Sequence, residues 1–573
     1  MGTISDKLMR IINTKEDIRQ ALISKGYDVP TSIPFKEYAK MILDLPCKVD
    51  SFPDIEGIVA RYSASGLTNE QMAANPVWVD KTGNGYDLQL KNFSWKGMSG
   101  VGGYVADIDE WGTNSTVAYF ERNSIKITAT FKENASLGLL YHNIKLRQSC
   151  VLKVTGIPEG CDAFWDDRLG NRFYMSEDGV YEIIPSNFLA EALYLSIEKY
   201  PERWYGSKLT IEQLPLYPGA LVFDGVDDYG VCENFPILTK EKGYTVVALR
   251  QWLSFQDIGY PTLVVNSTDR LAAFSFEDFR NETKSTWNWG RSVGLSDYKI
   301  PLLYPYQTST SYNSKTIYAG ATEEGSNILQ VCRSGYYCAN AAIWEIVILD
   351  HDATEEELTK IKDYFVKTYP WLFPDQAWTV VGKTNEDEDR ATIANITGNG
   401  NDLVLSNFGF AEGSGYNEEG EYAGYLVTDG VDDRVQDSSF KLNKDWTLVG
   451  EWVFLNQKAT NAGITKPFSF VVYNRTTGLS LFINTGTSGI TIENVKSIKA
   501  ICSDGRIYFD DWSEMLISKD QDITSSTSVL SIGFNGTAYT QIAFKNLGIY
   551  NNQILSKDDC IKAYNYLQTL KSK

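Results

Sequence analysis

The residues best placed to do chemistry are two acidic triplets. Asp224, Asp227 and Asp228 lie in FDGVDDYG, and Asp429, Asp432 and Asp433 lie in TDGVDDRV. Carboxylates this close can converge on Ca2+, a hard cation that takes clustered oxygen ligands. The same string also spells a tight turn, in which Asp-Gly opens the bend and Asp side chains accept from nearby backbone amides. The motif recurs beside an otherwise divergent surface, so the turn reading is preferred and Ca2+ binding is the alternative. The segment DIDEWG, 107–112, begins like an EF-hand loop. It has Trp111 at the fifth position and Ala118 where the loop's closing Glu belongs, so it is rejected.

Nucleophilic and metal chemistry find little support. The chain has two histidines, His142 and His351, and no GxSxG or phosphate-binding loop accompanies either. A solvated or hydrogen-bonded role is expected for both. The eight cysteines include no CxxC, which argues against zinc. Cys332 and Cys338 bracket CRSGYYC, a hairpin-like string in which a disulfide is conceivable, although a cytosolic origin argues for free thiols. Trp287 and Trp289 would share one face of an extended strand, and Tyr304 and Tyr306 follow in LLYPYQ. Exposed, such rings bind sugars; buried, they are ordinary sheet core. The four are glycan-binding candidates.

The elements that must position these residues come in two copies. GNGYDLQLKNF, 83–93, returns as GNGNDLVLSNF, 398–408, with eight of eleven positions identical. The DGVDD string recurs next, and IWEIVILDHDATEEELTKIKDYF, 343–365, then has a partner in FKNLGIYNNQILSKDDCIKAYNY, 544–566. Three landmarks in one order imply a duplicated globular domain. Gly83 and Asp224 stand 141 positions apart, whereas Gly398 and Asp429 stand 31 apart; beyond the DGVDD string the spacings agree, at 125 and 121. The 110-residue excess in copy one is a small domain's worth of chain. Both copies read as short alternating strands closed by one helix, with Thr354 or Ser556 as its N-cap. The insert also reads as β. The predicted units are a helical N-terminal segment at 1–50, a first domain at 55–106 and 216–374, an insert at 107–215, and a second domain at 375–573.

Composition bounds the partners. With 53 basic and 73 acidic residues the net charge is −20, and no basic stripe suited to nucleic acid is evident. No apolar run approaches the length of a membrane span. The opening MGTISDKLMRIINTKED lacks a signal-peptide core, so synthesis in a cytoplasm is expected. Leu8, Ile11, Ile12, Ile18, Ala21, Leu22 and Ile23 fall near helical spacing, and FKEYAKMILDL adds a second short helix. A helical pair this small cannot bury itself and must dock on a partner or on another copy of the chain.

GNG…L.NF, the DGVDDYG turn and a terminal strand followed by a TEEEL helix resemble laminin-G-like, concanavalin A-like jelly rolls. The string LTIEQLPLYPGALVFDGVDDYG is similar to virion proteins of tailed phages infecting Bacteroides-type bacteria. TKEDIRQALISKGYDVP and PFKEYAKMI resemble N-terminal attachment segments of phage tail and fibre proteins. The resemblance implies a mainly β chain: two concanavalin A-like jelly-roll sandwiches, an inserted smaller β-sandwich, and a short α-helical N-terminal segment. It also implies a head- or tail-fibre-like virion protein that assembles in the host cytoplasm. Such a protein would dock to other virion proteins through residues 1–50, as a dimer or trimer, without cofactors. A glycan-binding adhesin recognising host surface polysaccharide is the alternative.

The concanavalin A-like fold also includes laminarinase-type glycosidases, which carry E-x-D-x-x-E on one strand so that acid and nucleophile share a groove. Here Glu345 stands alone, with Val347 and Leu349 beyond it, and copy two offers Lys545, Leu547 and Ile549. No catalytic residue is assigned and no hydrolytic activity is expected. Glu345 is expected to be an ordinary strand residue whose exchange for Gln changes stability little.

Overall fold

In this computed structural model the described residues are 52–570. Excepted are 134–137, 145–149, 184–192, 238–244, 255–261, 266–274, 281–284, 289–290, 294–325, 352, 398–399, 419–421, 456–460, 467–469, 476–477, 484–489, 493–496, 510, 517–525 and 535–538. The helical segment expected at 1–50 lies outside them.

The chain is mainly β, and its sheets pair off into three sandwiches. In copy one, the strand Asn340–Leu349 is the axis of one sheet. Thr245–Ser254 runs antiparallel along one side of it; Ile58–Ser63 and Leu221–Asp224 divide the other. The facing sheet has eight strands, from Val77–Trp78 through Leu88–Lys91 and Tyr229–Cys232 to Arg291–Val293. Copy two repeats the plan around Ile542–Asn551, with Trp446–Phe454 on one side and Gln376–Thr379 and Leu426–Val427 on the other. The insert folds as two five-stranded sheets.

The residue patterns explain these elements. In Leu88–Lys91 the leucines point inward and Gln89 and Lys91 outward, and Leu403–Ser406 repeats the alternation. The axial strand of copy one is instead buried almost throughout, because both of its faces are covered. Each sandwich has its own core: Trp78, Phe223, Ile343 and Ile346 in copy one, Trp378, Trp446, Trp452 and Phe544 in copy two, Trp111, Trp165 and Trp204 in the insert. Each such side chain contributes about 2 kcal/mol by leaving water.

Each axial strand carries a β-bulge at the same place. Leu249 pairs with Glu345 but Arg250 pairs with Ile343, leaving Trp344 extra. Glu451 pairs with Asn546 but Trp452 pairs with Phe544, leaving Lys545 extra. The bulge switches the parity of the strand. Core residues run Ala341, Ile343, then Ile346 and Ile348 in copy one, and Ile542, Phe544, then Leu547 and Ile549 in copy two. The register therefore places Asn546 opposite the role of Glu345, and Lys545 opposite that of Trp344. This agrees with the alignment of 343–365 on 544–566 and corrects the glycosidase-motif comparison, which set Lys545 against Glu345.

One helix closes each copy. Glu355–Thr368 begins with a full capping box: Thr354 Oγ1 accepts from the Glu357 amide, and Glu357 accepts from the Thr354 amide. Lys557–Gln568 begins on Ser556, which accepts from the Asp559 amide.

Candidate functional site

The DGVDD strings form the same turn in both copies. Asp224 Oδ1 accepts from the amides of Val226 at 2.8 Å and Asp227 at 3.4 Å, while Asp228 Oδ2 accepts from the Asp224 amide at 3.1 Å. In copy two Asp429 Oδ1 accepts from Val431 at 2.7 Å and Asp432 at 3.2 Å, and Asp433 Oδ2 from the Asp429 amide at 2.8 Å. The glycine is required: Gly225 has φ +76°, and a Cβ there would lie 2.6 Å from the Asn340 Cβ. One oxygen from each Asp of a triplet lies within 4.8 Å of the others. Several of these carboxylate oxygens already serve the turn's own amides. Burial pushes Asp228 up to about 7 and Asp433 up to about 6, with Ser99 and the Asp429 amide respectively opposing it. A carboxyl that resists ionisation is a poor ligand for a hard cation.

Glu345 is not an ordinary strand residue. The bulge turns it away from the core, toward the closing helix, where it is wholly buried. Arg61 Nε approaches Oε2 at 3.3 Å, the Tyr369 hydroxyl donates to Oε1 at 2.8 Å, and the Tyr364 hydroxyl lies 3.5 Å from Oε1. Arg61 Nη2 also donates to Tyr364 at 2.9 Å and its guanidinium lies over that ring. Burial raises the Glu345 pKa, and the Arg61 charge works against that rise.

A second buried carboxylate lies under the closing helix of copy two, at a position not equivalent to the first. Glu451 Oε1 accepts from Tyr425 and lies 3.6 Å from Lys499 Nζ. Its Oε2 accepts from Gln568 at 2.8 Å and lies 2.9 Å from the Tyr564 hydroxyl and 3.5 Å from Lys545 Nζ. Burial alone would raise its pKa, but Lys499 and Lys545 hold it well below the usual carboxylate range. The bulge supplies Lys545 by turning it off the core face.

This cluster joins copy two to the insert. Glu182, on the insert's edge strand Gly179–Ile183, lies 2.8 Å from the Tyr564 hydroxyl and 3.8 Å from Lys545 Nζ. Tyr564 in turn accepts from Lys499 at 2.7 Å. On the same strand the Val180 amide donates to the Asp511 carbonyl at 3.3 Å, so a sheet edge is covered rather than left open. Between the two walls is a cavity of about 430 Å³. Phe173, Tyr181 and Glu177 line it from the insert, with Lys499, Asp511 and Trp512 opposite. Trp512 holds φ +62° and packs edge-on against Tyr564 at 5.7 Å.

Glu182 and Glu451 stand on either side of one tyrosine hydroxyl, an arrangement that invites comparison with a glycosidase pair. That chemistry needs one carboxyl kept protonated and the other free to attack. Glu451 is held ionised, and both of its oxygens are occupied by donors. Glu451 therefore fills neither the protonated-acid nor the free-nucleophile role beside Glu182.

Of the remaining candidates, Trp287 lies on the strand Ser285–Asn288. Trp289, Tyr304 and Tyr306 lie outside the described residues. The strand Gly138–Ile144 includes His142. His351 Nδ1 lies 3.3 Å from Asp350 Oδ1 and Nε2 lies 3.3 Å from Glu357 Oε1. Cys332 and Cys338 are buried free thiols, not a disulfide. The junction cluster was missed in the sequence because Glu182, Glu451, Lys499, Lys545 and Tyr564 come from five separate segments with no spacing in common.

No known protein family and no curated protein matches the sequence. Among solved structures, a Trypanosoma rangeli sialidase in complex with sialic acid aligns with TM-score 0.26 and 11% identity, over 80% of this chain and 84% of that one. A mutant of that sialidase displaying trans-sialidase activity gives TM-score 0.26 and 10% identity, over 41% of this chain and 42% of that one. The exoplasmic/lumenal domain of VIP36, in a Ca2+/Man3GlcNAc-bound form, gives TM-score 0.14 and 10% identity, over 26% of this chain and 84% of that one. In the alignment with the trans-sialidase mutant the chain spans about two fifths of the sialidase's length. Scores this low transfer neither activity nor ligand.

Proposed function

We propose that the chain is a structural component of a phage virion, a capsid- or tail-attached appendage whose two jelly rolls project from an N-terminal anchor. The virion and anchor parts rest on the LTIEQLPLYPGALVFDGVDDYG and TKEDIRQALISKGYDVP strings. The non-catalytic part rests on one observation: Glu345 and Glu451, the carboxylates beneath the two closing helices, are enclosed by cations and tyrosines. Such clusters fix a shape and turn nothing over. The protein would be made in the host cytoplasm and join other virion proteins through residues 1–50, as a dimer or trimer. Deleting 1–50 tests the anchor. Folded sandwiches that fail to enter particles are expected, and normal incorporation would refute it.

A second reading, a glycan-binding adhesin, is favoured by the cavity between the insert and copy two, which combines half-buried aromatic rings with fixed polar groups. The two readings are compatible within one appendage.

A further inference from the structure

We infer that the cavity between the insert and the second sandwich binds an uncharged pyranose unit of a saccharide; this rests on the glycan-binding reading above. At about 430 Å³ the cavity lies toward the small end of the range for small-molecule sites, and it sits between two packed domains, where such sites concentrate. Its aromatic walls suit a sugar. Phe173 and Tyr181 are half-buried and meet edge to face at 6.1 Å, offering apolar surface to the C–H face of a ring. Its polar groups suit hydroxyls. Glu182 lines the cavity with its carboxylate oriented by Tyr564, and Asp511 Oδ1 is fixed by the Ser513 amide at 2.8 Å.

The charge balance sets the class of ligand. Four carboxylates line the cavity, those of Glu177, Glu182, Glu451 and Asp511, against one ammonium, that of Lys499. Lys499 already contacts Tyr564 and Glu451. A sialic or uronic acid would bring a further negative charge toward a cluster in which, among the described residues, the carboxylates outnumber Lys499 and the neighbouring Lys545, both already set against Glu451. A neutral hexose or N-acetylhexosamine meets no such penalty and finds acceptors for its hydroxyls. The walls are also held rigid: Trp512 keeps a left-handed backbone, a conformation that persists only where the surroundings enforce it. Rigid walls lower the ordering cost of binding.

The test is saturation-transfer NMR on the full chain. Methyl α-mannoside, methyl β-galactoside and N-acetylglucosamine serve as neutral probes; N-acetylneuraminic acid and glucuronic acid serve as anionic ones. At least one neutral probe should receive saturation and the anionic probes should not. Tyr181→Ala should weaken the neutral probe roughly tenfold. Ser176→Trp, at an exposed position on the cavity wall, should also weaken it; because Ser176 hydrogen-bonds to Asp162, retention of the fold is checked separately by circular dichroism. No transfer to any neutral probe would overturn both the inference and the neutral-glycan form of the adhesin reading. Transfer that survives both variants would leave glycan binding standing elsewhere and overturn this site. Equal transfer to N-acetylneuraminic acid would overturn the charge argument and with it the inference.

Discussion

Glu345 shows how one residue's role depends on its neighbours. Arg61 stays buried when its partner loses charge, so Glu345→Gln is expected to cost about 3 kcal/mol. Urea unfolding checks this; a loss within about 0.5 kcal/mol, the usual range of a surface substitution, would contradict the buried pair. The turn aspartates give a pH signature of definite sign. Asp228 titrates near 7 in the folded chain and near 4 unfolded. Folding therefore favours its protonated form, and the stability this adds is present below about 4 and lost as pH climbs through 7. Asp433, up at about 6, acts in the same direction. Asp228→Asn should flatten the fall in melting temperature between pH 5 and 8. A variant with an undiminished slope would contradict the assigned titration.

At the scale of elements, what was legible followed from period and punctuation. Leu88 and Leu90 alternate with polar neighbours, as do Leu403 and Leu405, and the strands they predict are present. The closing helices announced themselves through Thr354 and Ser556. The capping box makes Thr354→Ala worth about 1 kcal/mol, read as a lower unfolding midpoint in urea, and an unchanged midpoint would count against it. What was illegible followed from the bulge. A single extra residue in each axial strand moves Glu345 from an assumed groove-facing row to the helix side and brings Lys545 there in copy two. Reading faces by simple alternation fails across such a step. The sequence shows the acid; only the register shows what it faces. The tyrosines that complete the networks, Tyr369 in one copy and Tyr564 in the other, come from later segments whose spacing carries no signal.

At the scale of the molecule, the insert does more than lengthen copy one. Its edge strand holds Glu182 against Tyr564 and Lys545, and its Val180 hydrogen-bonds to Asp511 of the second sandwich. Excising 107–215 should therefore lower the melting temperature of copy two as well as shorten copy one. Glu182→Gln should reproduce part of the loss, roughly 1–2 kcal/mol. A second sandwich that melts identically in all three proteins would show that the junction is not energetically coupled. The insert thus ties the second jelly roll to the chain of the first. A mass-spectrometric inventory of purified phage particles tests the proposed virion role. Peptides from this chain are expected in the particles, in fixed ratio to other virion proteins and resistant to washing. Their absence from particles, with the protein abundant in the lysate from which those particles were made, would contradict it.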